Sequence, residues 1–153
     1  MGALAAIMSW LHISAAVAAV GGVAFILMTL RPSAMAALEP PVMGKLMGQI
    51  ARRFRWIVWG AIAGFTVTGL WLATAYRGIN TGAELTANSY GRTLLVKSIL
   101  ALVLFASAFA VTLPIKQLAW FRAHALQFQR LNLTLAFIII LLAAFMVRAG
   151  GLF

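Results

Sequence analysis

Four long apolar runs alternate with short polar, largely basic stretches along the chain, over about residues 3–30, 56–76, 94–113 and 131–147. A hydrocarbon core takes about 20 helical residues to cross, and each run reaches that length or nearly so. Backbone in lipid must satisfy its own hydrogen bonds, and the alternation of a barrel strand is absent, so the runs read as helices. The pattern predicts an all-α fold, a four-transmembrane-helix bundle with short amphipathic cytoplasmic connecting helices, forming a single integral membrane domain over residues 1–153. The first run has His12 as its only ionisable side chain, and the second has none. The third is interrupted by Lys97 and stopped by Pro114; the fourth is short but has the unambiguous centre LAFIIILLAAF. Without a basic n-region, and too long for an h-region, the first run does not have the pattern of a cleaved signal peptide.

The stretches between runs carry their own pattern. After Pro40-Pro41, Val42, Met43, Leu46, Met47, Ile50 and Phe54 recur at helical spacing, with Lys45, Gln49, Arg52 and Arg53 largely elsewhere on the wheel. That predicts a helix at the head-group surface. Met43 and Met47 read more simply as its apolar face than as a copper entry site. Leu118, Phe121, Ala125 and Phe128 stack similarly in the next such stretch, where His124 reads as a solvated loop histidine. Trp56 and Trp59 at one end of the second run, with Trp71 and Tyr76 towards the other, form the aromatic belt of a membrane span. Gly60 and Gly64 make a GxxxG step there, and Gly21-Gly22 thin the first run, so close helix approach is expected at both.

Composition sharpens the picture. The chain is 64% hydrophobic and 9% charged, too few charges to cover a soluble fold of 153 residues. Zero cysteines exclude disulfides, thiolate metal sites and a cysteine nucleophile. The net charge of +10 would suggest nucleic acid in a soluble chain, but these basic residues lie between apolar runs. There they set topology and meet anionic head groups, so no nucleic-acid partner is expected. Arg31, Lys45, Arg52, Arg53 and Arg55 follow run one, and Lys116, Arg122 and Arg130 follow run three. Only Arg77, Arg92 and Arg148 lie on the opposite side. The excess predicts that both basic loops are cytoplasmic and both termini outside.

Ionisable groups inside a bilayer are costly and mark sites by default. His12 and Lys97 are the two, each expected in the outer half of the membrane. Met8 lies one turn before His12 on the same helix face, and Met146 is a further soft donor expected at similar depth. Neutral imidazole and thioether suit Cu(I), and imidazole also suits heme iron. His12 and Met8 are therefore the metal candidates, with other ligands coming from other spans or a second chain. A packed histidine hydrogen-bonded to a neighbouring helix explains His12 equally well, and a snorkelling side chain is the plainer reading of Lys97. Asn132, Thr134, Thr66, Thr68 and Ser98 are candidates for hydrogen bonds between helices. Glu39 and Glu84, the only acids, fall in loops. With no carboxylate in a span, an enzyme, a protease or a proton pump is not expected.

The ordered set resembles the copper-resistance D (CopD) family of small membrane proteins. LHISAAVAAVGG in the first run, ARRFRWIVWGAIAGFTVTGLW entering the second, LLVKSILALVLF with Lys97, and RLNLTLAFIIILLAAFMVRAG carry the resemblance over nearly the whole apolar chain. It implies a four-helix unit associated with copper uptake or tolerance across the bacterial inner membrane. The first run and the Lys97 region are also similar to the HemJ type of protoporphyrinogen oxidase. That similarity implies heme b as an alternative cofactor, with His12 and Lys97 as the cofactor-binding positions. Ala108 stands where that type has a second histidine. Copper handling is the leading expectation. A non-catalytic accessory subunit of a larger respiratory or photosynthetic membrane complex, and a heme b protein, are the alternatives. The lipid bilayer is the expected environment, with a larger complex or a homodimer as further partners.

Overall fold

The computed structural model of the chain describes residues 2–87, 89–113 and 116–149, with side chains as far as Met146. Helix dominates throughout, and no strand occurs among the described residues. Gly2–Ala37, Pro40–Tyr76, Ser89–Thr112 and Ala125–Met146 are each long and apolar enough to cross a membrane. The expected all-α architecture with four spans is the one adopted. The chain divides into two compact units, Met1–Leu72 and Ala73–Phe153.

The first unit is a helical hairpin. Helix α1 (Gly2–Phe25) passes through a π-helical turn (Ile26–Leu30) into α2 (Arg31–Ala37). The helix that holds the first apolar run continues for two turns beyond Leu30, where that run ends. Pro32 has no N–H to give a normal helical bond, and the widened turn just before it, where the Arg31 N–H reaches Ile26 O, absorbs the defect. Leu38 and Glu39 are extended, Glu39 as the residue before a proline is biased to be. Helix α3 (Pro40–Trp71) then starts with proline in its first turn and continues into a second π-helical turn (Leu72–Tyr76).

The expected surface helix over residues 42–54 is therefore the first half of the same continuous helix as span two. Nothing after Pro41 breaks the backbone; the run of Arg52, Arg53 and Arg55 changes the solvent of the helix, not its hydrogen bonding. At 1.5 Å per residue the 37-residue stretch is about 55 Å long, well beyond a hydrocarbon core of about 30 Å. Its basic first half must project from the hydrocarbon if its apolar half crosses.

The second unit begins in that π-helical turn, and two residues after its end Gly78 lies in the left-handed region (φ 68°). There the Gly78 and Ile79 N–H groups reach back to Thr74 O and Ala73 O. A short helix α4 (Gly82–Ala87) follows, then α5 (Ser89–Thr112), a 3₁₀ turn (Lys116–Leu118), α6 (Ala119–Ala123) and α7 (Ala125–Ala149). Pro114 lies outside the described residues, as do the side chains of Val147, at the end of the fourth run, and Arg148. Helices α5 and α7 pair, with Ala108, Leu133, Ala136 and Met146 buried. Arg122 donates from Nη1 to Leu113 O at 2.8 Å, so a cation satisfies a carbonyl at the end of α5.

Burial is sparse and confined to small groups. Among the described residues, apart from Leu133 and Met146, the buried apolar residues are alanines, and no large side chain is fully buried. Trp10, Val17, Met28, Trp56 and Leu102 are each 65–72% exposed. In water such surface would collapse or aggregate; against lipid it is solvated, and helices associate through small residues instead.

Candidate functional site

In the first unit α1 and α3 run antiparallel, as three cross-helix neighbours show. His12 lies against Thr68, Ala15 against Gly64, and Gly22 against Phe54. Small residues set this spacing. A methyl group on Gly64 would sit 3.7 Å from Ala15 Cβ, an ordinary contact. One on Gly22 would meet the Phe54 ring, 2.7 Å from Cζ. Gly22, in the thinned centre of span one, thus leaves the room that the Phe54 ring fills. Of the expected GxxxG step only Gly64 takes part, since Gly60 faces open space.

His12 is partly buried at this seam. Its Nδ1 is hydrogen-bonded to Thr68 Oγ1 at 2.7 Å. Thr68 is only 4% exposed, and its hydroxyl also donates to Gly64 O one turn back on α3. Such back-bonding keeps a threonine satisfied inside a membrane helix while leaving its oxygen lone pairs to accept. The Phe65 ring meets the imidazole edge-on, with centroids 5.1 Å apart and planes at 73°. On its other side a Cβ on Gly69 would lie 3.5 Å from His12 Cε1. One turn of α3 therefore supplies a hydrogen bond, a ring face and a gap for a single imidazole.

The remaining sequence candidates fall as follows. Met8 is partly buried on α1, one turn before His12, so the two share a face of one helix. Lys97, partly buried on α5, and Met146, 6% exposed on α7, belong to the second unit. No group of three or more His, Asp or Glu side chains converges among the described residues. A metal site here is thus not a ready-made carboxylate or polyhistidine cage. Its donors from this chain would be a neutral imidazole and a thioether, a set matched to Cu(I).

Of the five polar residues expected to bridge helices, Thr68 does so. Thr66 and Thr134 instead bond back to Ile62 O and Arg130 O on their own helices. Ser98 is exposed, and Asn132 Oδ1 is buried without a partner among the described residues. His124, expected to be solvated, donates from Nδ1 to Trp120 O at 2.9 Å and stacks at 4.5 Å, tilted, on the Trp120 ring. It closes the end of α6, and its packing follows from Phe121 and Phe128 gathering on the same indole.

One local device was readable and overlooked. Thr81-Gly82-Ala83-Glu84 is a capping box: Thr81 Oγ1 accepts from the Glu84 N–H, and the Glu84 carboxylate accepts from the Asn80 and Thr81 N–H groups. These backbone donors, Asn80 first and then Thr81, hold the Glu84 carboxyl below its ordinary range. On the same connection Arg77 lies over the Tyr90 ring at 4.7 Å, and Arg92 donates from Nε to Thr86 O at 3.1 Å.

Among protein-family models, the one described as CopD, copper resistance protein D, matches residues 48–146, more than half of the chain. Thr68 and Lys97 fall inside the match, whereas His12 and Met8 precede it. No curated protein and no solved structure gives a match, and nothing among the matches bears on the HemJ resemblance.

Proposed function

The chain belongs to the copper resistance protein D (CopD) family, and from that premise we propose that it carries copper across, or holds it within, the bacterial inner membrane through His12. It is a multi-pass membrane protein of a copper-resistance family. The observation that carries the finer reading is a thioether and an imidazole, Met8 and His12, one turn apart on the same partly buried face of α1 in a chain of a copper-resistance family. The hydrogen bond to Thr68 fixes that imidazole, the one ionisable group of α1.

In this reading copper is cargo. His12 and Met8 give Cu(I) one nitrogen and one sulfur from the same helix face, both neutral, so the ion enters without a carboxylate partner. Two donors leave the coordination of the ion incomplete; further ligands come from outside this face, including a second copy of the chain. Both termini face outwards and the basic first half of α3 projects into the cytoplasm, where Lys45, Arg52 and Arg53 meet anionic head groups. Lys97, partly buried on α5, acts as an interfacial anchor. Holding or moving an ion breaks no bond, so no catalytic residue is assigned. Neither an accessory-subunit role nor heme b finds support in the fold or the family match.

The test is uptake of Cu(I) by vesicles carrying the full chain. Uptake should be lost in His12→Ala and reduced in Met8→Leu. Uptake by His12→Ala equal to that of the unaltered chain would sink the proposal.

A further inference from the structure

We infer that Thr68 is a positioning residue that locks His12 in the Nδ1–H tautomer and so makes Nε2 the nitrogen offered to an ion. The tautomer follows from counting hydrogens. Gly64 O can only accept, and the single hydroxyl hydrogen of Thr68 is directed to it. Thr68 Oγ1 therefore has only lone pairs left for the imidazole, and the 2.7 Å contact at His12 Nδ1 must carry its proton on the ring nitrogen. A neutral imidazole has one N–H, which leaves the other lone pair on Nε2. Were Nε2 the protonated nitrogen, the Thr68 hydroxyl would have to turn from Gly64 O to Nδ1, leaving Oγ1 and that carbonyl oxygen in contact with no hydrogen between them in a seam where Thr68 is 4% exposed. That arrangement costs a buried hydrogen bond.

One neighbour adds to the lock and another leaves room beside the ring. Phe65 meets the ring edge-on and restricts rotation about the Cβ–Cγ bond. Gly69 presents no side chain to Cε1, the ring carbon between the nitrogens. A histidine that binds a metal through one nitrogen is normally oriented by a hydrogen bond from the other, and losing that outer partner costs roughly 10- to 100-fold in affinity. Here the outer partner is a threonine hydroxyl on α3 instead of a carboxylate. The imidazole is oriented without an added negative charge, which fits a span with no acidic residue.

The tautomer stands on the geometry alone, and its consequence for copper rests on the function proposed above. The test separates them. The full chain, with ¹⁵N-labelled histidine in lipid bilayers and no metal, has only two histidines, so a His124→Gln variant assigns both sets of ring nitrogen resonances. His12 should appear as Nδ1–H in the unaltered chain and in Thr68→Ser, and as a mixture or as Nε2–H in Thr68→Val. An Nε2–H form in the unaltered chain, or no change in Thr68→Val, overturns the inference. Cu(I) alone is then titrated: binding should weaken about 10- to 100-fold in Thr68→Val and recover in Thr68→Ser. Unchanged binding in Thr68→Val, with the tautomer shifted, overturns the positioning role. If the unaltered chain and His12→Ala bind Cu(I) alike, the copper reading fails while the tautomer result stands.

Discussion

Gly91 and Gly22 both allow a close approach, yet their substitution should have different consequences. A Cβ on Gly91 would lie 2.6 Å from Leu85 O and 2.7 Å from Glu84 O, which are backbone atoms of α4 that cannot swing aside. At Gly22 the obstruction is the far edge of the Phe54 ring, which can rotate. Gly91→Ala should therefore displace α4, at a cost of about 1–3 kcal/mol typical of overpacking, and expose Gly82–Ala87 to faster hydrogen exchange. Gly22→Ala should lower the unfolding midpoint in detergent less than Gly91→Ala does. The reverse order would contradict the packing described for the two glycines. Thr68→Val should cost about 1 kcal/mol for the lost cross-helix bond, within the range of such bonds in membrane proteins. Among these positions His12 was legible in the sequence, because an ionisable group in a long apolar run announces itself. Thr68 was legible only as one of five candidates. Periodicity tells which face of a helix a residue occupies but not the register between helices, and that register alone singles out Thr68 over Thr66.

Among the elements, α4 is the one whose stability should respond to pH. Backbone donors at Asn80 and Thr81 favour the ionised Glu84, so its pKa is lower in the folded chain than in the unfolded one. The cap is at full strength above the ordinary carboxylate value of about 4.3 and is lost as pH falls through the lowered folded value. Hydrogen exchange at the Asn80 and Thr81 amides, corrected for intrinsic rates, should accelerate on acidification through that window. The Glu84→Gln variant should show no such step; the same step in both would rule out the capping role. The T-x-x-E spacing made this cap readable. The two long helices were harder to delimit. Composition changes sharply at Arg52–Trp56, which marks where water gives way to lipid, whereas the backbone ends only where a proline pair or a left-handed glycine intervenes. Hence Pro40-Pro41 and Gly78 bound the helix that holds span two, and the arginines do not.

Across the whole molecule the apolar surface and the uneven basic residues make one joint prediction about topology. The chain has no cysteine, so single cysteines can report sidedness without background. An impermeant thiol reagent should label Ala83→Cys on intact spheroplasts and Ser33→Cys or Gln117→Cys only after permeabilisation. Labelling in the opposite sense would invert the assigned orientation. Four spans were legible because lipid imposes a length and a polarity that few other environments do. The function was less so, since copper needs only two or three soft donors, and methionine and histidine also serve as ordinary packing. The most direct test is the copper retained by the full chain after exposure to Cu(I) in mild detergent, measured by elemental mass spectrometry beside His12→Ala. Bound copper in the unaltered chain and its loss in the variant is the predicted result. Equal copper in both, or none in either, would contradict a copper site at His12.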